Sequence, residues 1–179
     1  VLLVKNHDKN SRVFFFYGYF FGFGYFLFSL YWIPFSLSYD ENFKSFIPIA
    51  TIIIPALLSL FYALAFLGFK LLLNSKSIFA NLLTFSLLLG LSEFIRGIIL
   101  SGFPWNLFAY SFSENISFIQ IISLIGTYAF NTILITFFTI PSIFLLNKKK
   151  SDLKGFYLIL TIIISTFIYG SIKLKNFSN

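Results

Sequence analysis

Residues 78–100 read IFANLLTFSLLLGLSEFIRGIIL, an apolar run broken only near its far end by Glu93 and Arg96. Three residues apart on a helix, the two charges share a face and can pair with each other. A lone charge at mid-membrane costs about 2.5–3.5 kcal/mol on insertion scales, so a paired carboxylate and guanidinium inside such a run mark a place facing protein or water. The run therefore reads as a membrane-crossing helix carrying a site, and the rest of the chain agrees with it.

The chain of 179 residues is 58% hydrophobic and 11% charged, with 28 Phe and 10 Tyr. Its mean hydropathy is +0.89. That much apolar surface cannot be hidden in one water-soluble core of this length. The expected fold class is all-α, a polytopic transmembrane helical bundle with about five spans. These fall near residues 13–37, 46–69, 78–100, 116–146 and 156–172. The first rises about 37 Å as a helix, enough for a hydrocarbon core of about 30 Å. The second carries Pro48 at its start and Pro55 inside, where a missing backbone bond predicts a bend. The fourth is too long for one crossing, and its first turns are expected outside the core.

Residues 1–12 read as the tail of an earlier span, Val1 to Val4, followed by a polar loop. Residues 173–179 read as a polar tail. The chain starts at Val1 and contains no Met, which predicts a fragment of a longer protein. No signal-peptide pattern stands at its start.

Nine basic residues (Lys5, Lys9, Arg12, Lys70, Lys76, Lys148, Lys149, Lys150 and Lys154) fall on one side of the expected spans, and Lys44, Lys173 and Lys175 fall on the other. The first side is cytoplasmic by the positive-inside rule. The net charge of +7 is thus explained by topology, and the lysines form no single basic face of the kind that nucleic acid requires. With no Cys, thiolate metal sites, disulfides and a cysteine nucleophile are excluded within these residues. His7 sits among Lys5, Asn6, Asp8 and Lys9 as a solvated loop residue. No carboxylate dyad, metal set or nucleophilic triad can be assembled, so the chain itself offers no catalytic residue, metal site or cofactor site.

The candidate site lies at the end of the 78–100 run. Gly102, Phe103, Pro104 and Trp105 follow it, ending the helix and aiming two aromatic rings at the membrane surface. Asn106 and Tyr110 continue this loop with groups able to bond a headgroup or peptide. Arg96 could face an anionic lipid phosphate with Glu93 orienting it. It could equally form, with Glu93, a structural lock between helices. Upstream, Gly18 and Gly22 make a small-xxx-small pair with Gly24 beyond, a pattern for close helix approach. Tyr31 and Trp32 fit interfacial anchors. Gly126, Tyr128 and Asn131 fit helix contacts, with Asn131 bonding across an interface.

Glycines 18, 22 and 24 with Tyr31 and Trp32, then Glu93-Phe94-x-x-Arg96-Gly97, then Gly102-Phe103-Pro104-Trp105 and Tyr110, resemble the apolipoprotein N-acyltransferase family over nearly the whole chain. The resemblance implies a multi-pass enzyme of the bacterial inner membrane. It would take an acyl chain from a phospholipid through a thioester intermediate and pass it to the lipidated N-terminal cysteine of an apolipoprotein. It also implies that the catalytic Glu, Lys and Cys belong to a periplasmic nitrilase-like domain beyond these residues, leaving this chain alone inactive. Residues 173–179 would then lead toward that domain. A competing reading is a membrane scaffold that anchors a separate enzyme, such as a polyprenyl-phosphate glycosyltransferase.

Overall fold

The computed structural model describes residues 10–73, 77–99, 104–146 and 150–177. Gly102, Phe103 and the 1–9 segment with His7 lie outside the described residues. No strand occurs among the described residues, and helices succeed one another from end to end.

Helix α1 (Ser11–Ser29) begins at Asn10, whose side chain accepts the amide of Arg12. Helix α2 (Ile47–Leu72) takes Pro48 in its first turn, where a proline forfeits no intrahelical bond. Pro55 lies inside α2, and the helix continues through it. Helix α3 (Ile78–Ile98) starts at Ser77, whose hydroxyl accepts the Ala80 amide. Two single-turn helices, α4 (Ile116–Ile119) and α5 (Ile122–Ile125), precede α6 (Thr127–Thr139), and α7 (Lys150–Phe177) closes the chain.

Among the described residues, four helical stretches are long and apolar enough to cross a bilayer, and α1 makes a fifth when joined to the 3₁₀ turns of Ile33–Tyr39, from which it is bent by 45°. The architecture is an all-α bundle of membrane-spanning helices. Two expected boundaries differ, and the run that is too long for one crossing divides in two. The run at 13–37 stops being an α-helix at Ser29, because Pro34 opens a 3₁₀ helix instead of continuing the first one. The run at 116–146 is broken at Gly126, whose φ of 80° suits glycine and sets α6 apart from α4 and α5. Past Ile172, the expected polar tail continues as α7 as far as Phe177.

Helices α1 and α2 pack closely. A Cβ placed on Gly18 would lie 2.6 Å from the Tyr62 carbonyl oxygen and 2.8 Å from the Ala63 Cα, and one on Gly22 would lie 3.0 Å from the Tyr62 Cβ. Gly24 faces open space, with nothing within 4 Å, so it belongs to the outer face and not to the seam. Helix α3 meets α6 in the same way, Gly90 lying against Thr132 and Gly97 against the Tyr128 hydroxyl. Phe26, Leu58, Tyr62, Leu89 and Ile135 bring α1, α2, α3 and α6 into one apolar cluster. The outward faces keep Leu57, Leu64, Ile98 and Ile168 exposed, as lipid-facing helices do.

Candidate functional site

Antiparallel packing of α1 on α2, and of α3 on α6, gathers one set of helix ends: the end of α1, the start of α2, the end of α3 and the start of α6. Here the charged pair sits. Glu93 and Arg96 have no exposed surface. Arg96 Nε donates to Glu93 Oε2 at 3.1 Å, and its Nη2 pairs with the same oxygen. Nη2 also donates to the Trp105 carbonyl at 2.9 Å. The guanidinium carbon lies 5.2 Å from the centroid of the Phe26 ring, within cation–π range. Glu93 Oε1 accepts the hydroxyl of Tyr62. One buried ion pair thus ties α1, α2 and α3 to the loop that follows α3.

A second tyrosine holds that loop. Tyr25 donates its hydroxyl to the Asn106 carbonyl, and its ring stacks on Tyr62 at 5.7 Å and on Phe108 at 5.5 Å. Asn106 has a φ of 61°, in the left-handed region that asparagine tolerates better than most side chains. The loop then enters a 3₁₀ helix at Phe108–Phe112, whose Ala109 amide donates to Asn131 Oδ1 at 3.1 Å. Asn131 therefore joins α6 to the loop. The Nδ2 atoms of Asn106 and Asn131 are buried without a partner.

What the clamp presents to the outside is aromatic. Trp105 and Trp32 meet edge to face at 6.4 Å, and they remain 51% and 50% exposed. Tyr31 and Tyr110 are also exposed. Burial raises the Tyr110 hydroxyl above its ordinary pKa, followed by the influence of Tyr128, while Arg96 opposes both.

Of the residues singled out in the sequence, Glu93, Arg96 and Trp105 come together directly, and Trp32 joins them through Trp105. Pro104 begins the described part of the loop, and Tyr110 sits on its 3₁₀ turn. Gly18 and Gly22 act at the α1–α2 seam. Arg96 points inward, so a bound phosphate would need its present partners displaced. Tyr25 and Tyr62 were not legible as site residues: each stands in an aromatic-rich run, and only the fold brings them to Asn106 and Glu93. No group of three or more His, Cys, Asp or Glu that could hold a metal exists among the described residues.

Residues 1–140 match the family model for the apolipoprotein N-acyltransferase N-terminal domain. The chain is 33% identical over 161 residues to an apolipoprotein N-acyltransferase of Rhodopseudomonas palustris, covering 88% of this chain and 30% of that protein. It is 35% identical over 177 residues to one of Rickettsia prowazekii, covering 96% of this chain and 34% of that protein. A relative of the same name from Rickettsia bellii is 35% identical over 161 residues, with coverage of 89% and 32%. The chain thus spans about a third of the length of these curated relatives. No solved structure matches it. The Glu93–Arg96 clamp and most of the bundle fall inside the matched residues, and the chain belongs to the apolipoprotein N-acyltransferase family.

Proposed function

We propose that this chain is the membrane platform of a phospholipid:apolipoprotein N-acyltransferase in the bacterial inner membrane, with the Trp32–Trp105 end facing the periplasm. The intact enzyme would move an acyl chain from a phospholipid onto a carrier thiol, releasing a lysophospholipid. It would then pass the chain to the α-amino group of a diacylglyceryl-cysteine, forming an amide and regenerating the thiol. No cysteine occurs in these 179 residues, so the thiol and, in this reading, its acid–base partners would come from elsewhere in the intact enzyme. The platform would present lipid donor and apolipoprotein acceptor to them.

The observation that carries this reading is the buried Glu93–Arg96 pair holding the Trp105 carbonyl, which fixes a half-exposed aromatic pair at one end of the spans. Such rings suit the headgroup level of a bilayer. In this reading Pro104, Trp105 and Tyr110 adjoin the substrates, while Glu93 and Arg96 position the loop.

The test uses the full-length protein reconstituted with phosphatidylethanolamine and a diacylglyceryl peptide. Trp105→Ala is expected to slow formation of the acyl-enzyme while leaving membrane insertion intact. Acyl-enzyme formation at the unaltered rate would remove Trp105 from the substrate path. Acyl transfer by the isolated 179-residue chain would overturn the assignment of the chemistry to residues elsewhere.

A further inference from the structure

We infer that residues 30–46 form an interfacial strap, lying along the membrane surface with Phe43 and Phe46 among the lipids and Glu41 and Lys44 toward water. The inference is independent of the acyltransferase reading.

Helix lengths place the strap. The 19 residues of α1 rise about 28 Å, and the 26 of α2 about 39 Å, against a hydrocarbon core of about 30 Å. Helix α2 is long enough to cross the core on its own, and α1 comes within about 2 Å of doing so without residues 30–46. Because Gly18 and Gly22 lock the two helices side by side, the segment between them stays at one end of the pair. The Trp32–Trp105 contact sets its beginning at the level of the aromatic pair.

The strap is two 3₁₀ helices, Ile33–Tyr39 and Glu41–Phe46, the first bent 45° from α1. Between them the Asp40 side chain accepts the Asn42 amide at 2.9 Å and restarts the turn. In a 3₁₀ helix, side chains three apart eclipse one another. The Phe43 and Phe46 rings accordingly meet at 6.4 Å, and Glu41 and Lys44 pair at 2.5 Å. One face is thus aromatic and another is ion-paired.

Neither face fits the interior. Pro34 is the only buried residue of the two turns; Phe35, Phe43 and Phe46 stay about half exposed, and Tyr39 is 94% exposed. Aromatic rings beside a solvated ion pair match the headgroup boundary, where apolar and charged faces of one short element are both accommodated. Full immersion in hydrocarbon would strip the Glu41–Lys44 pair of water. Projection into water would leave the ring face without a partner.

The inference can be tested in the full-length protein, with any native cysteine elsewhere changed to serine, reconstituted in phospholipid nanodiscs. Nitroxide labels are placed singly at Phe43→Cys, Phe46→Cys, Glu41→Cys and Lys44→Cys, with Leu57→Cys on the outer face of α2 as a reference for depth. Collision with dissolved oxygen and with a water-soluble nickel chelate is read by power saturation. The expected oxygen-to-nickel ratio is several-fold higher at positions 43 and 46 than at 41 and 44, and lower than at 57. Equal, nickel-rich values at all four strap positions would place the segment in water. Values at 43 and 46 equal to that at 57 would make it part of the span. Protection of 43 and 46 from both reagents would mean that another protein surface covers them. Any of these three results overturns the inference, and the two phenylalanine positions check each other should one substitution disturb the fold.

Discussion

Two carboxylates without exposed surface, Glu93 and Asp152, stand at opposite ends of α3, and their surroundings could hardly differ more. Asp152, in the first turn of α7, accepts the Phe79 amide at 3.0 Å beside the Ser77 cap, supplying a buried helix start with an acceptor. Glu93 binds a guanidinium and a tyrosine hydroxyl, and through them reaches the Trp105 loop. The first carboxylate joins two helices. The second, together with the Arg96 it pairs with, joins three helices and determines where an exposed aromatic pair stands. Burial alone therefore does not distinguish a structural charge from one that shapes a functional surface; what its partners hold does.

The largest effect is expected from breaking the second arrangement. Arg96→Ala leaves Glu93 buried without its cation, a change that costs about 3–5 kcal/mol when one partner of a buried pair is removed. Thermal unfolding of the full-length protein in detergent should show a correspondingly large loss. Replacing both partners, as in Glu93→Leu with Arg96→Met, should recover most of that stability, because well-packed apolar residues commonly replace a buried pair without loss. Acyl-enzyme formation should stay low in the double variant, since nothing then holds the Trp105 carbonyl. Recovery of both stability and acyl transfer would reduce the pair to helix packing.

Next in size are changes to the seam that brings Tyr62 under Glu93. Gly18→Ala drives a methyl group into the α2 backbone and should cost about 1–3 kcal/mol, in line with overpacking of a filled core. Gly24→Ala meets nothing and should not lower the melting temperature, since alanine favours a helix interior over glycine by up to about 1 kcal/mol. Equal effects at the two positions would contradict the seam. Tyr62→Phe keeps the ring and removes one donor to a charged acceptor, worth about 1.5–3 kcal/mol. It should lower acyl-enzyme formation along with stability.

The bundle was legible because long apolar runs carry their own signal, and the Glu93–Arg96 spacing marked the one place within a span where charge had to be explained. Gly18 and Gly22 could be read as a close approach; Gly24, in the same pattern, could not be told from them, because its outward direction depends on which face of α1 meets α2. Hydropathy also hid the ends of runs. Pro34 and Gly126 sit in sequence as apolar as their surroundings, yet the first lacks an amide and the second adopts a positive φ, so each ends a helix that composition alone would prolong. Tyr25, Tyr62 and Asp152 were invisible for another reason: their partners lie 81, 31 and 73 residues away, and no local pattern encodes such a pairing.

The smallest effect should come from the other carboxylate. Asp152→Asn keeps an oxygen that can accept the Phe79 amide and removes the negative charge at the start of α3. Asparagine caps helices about as well as aspartate, and a carboxylate near a helix N-terminus contributes about 0.3–1 kcal/mol through the helix dipole. A loss of that size in stability, with acyl transfer per folded molecule unchanged, is the expected result. Glu93→Gln is the matched substitution at the far end; there the amide leaves Arg96 as a buried cation without its counter-ion, and both stability and acyl transfer should fall much further. If the two amide variants behaved alike, the division between a carboxylate that joins helices and one that positions the Trp105 loop would not hold, and Glu93 would be a second helix fastener.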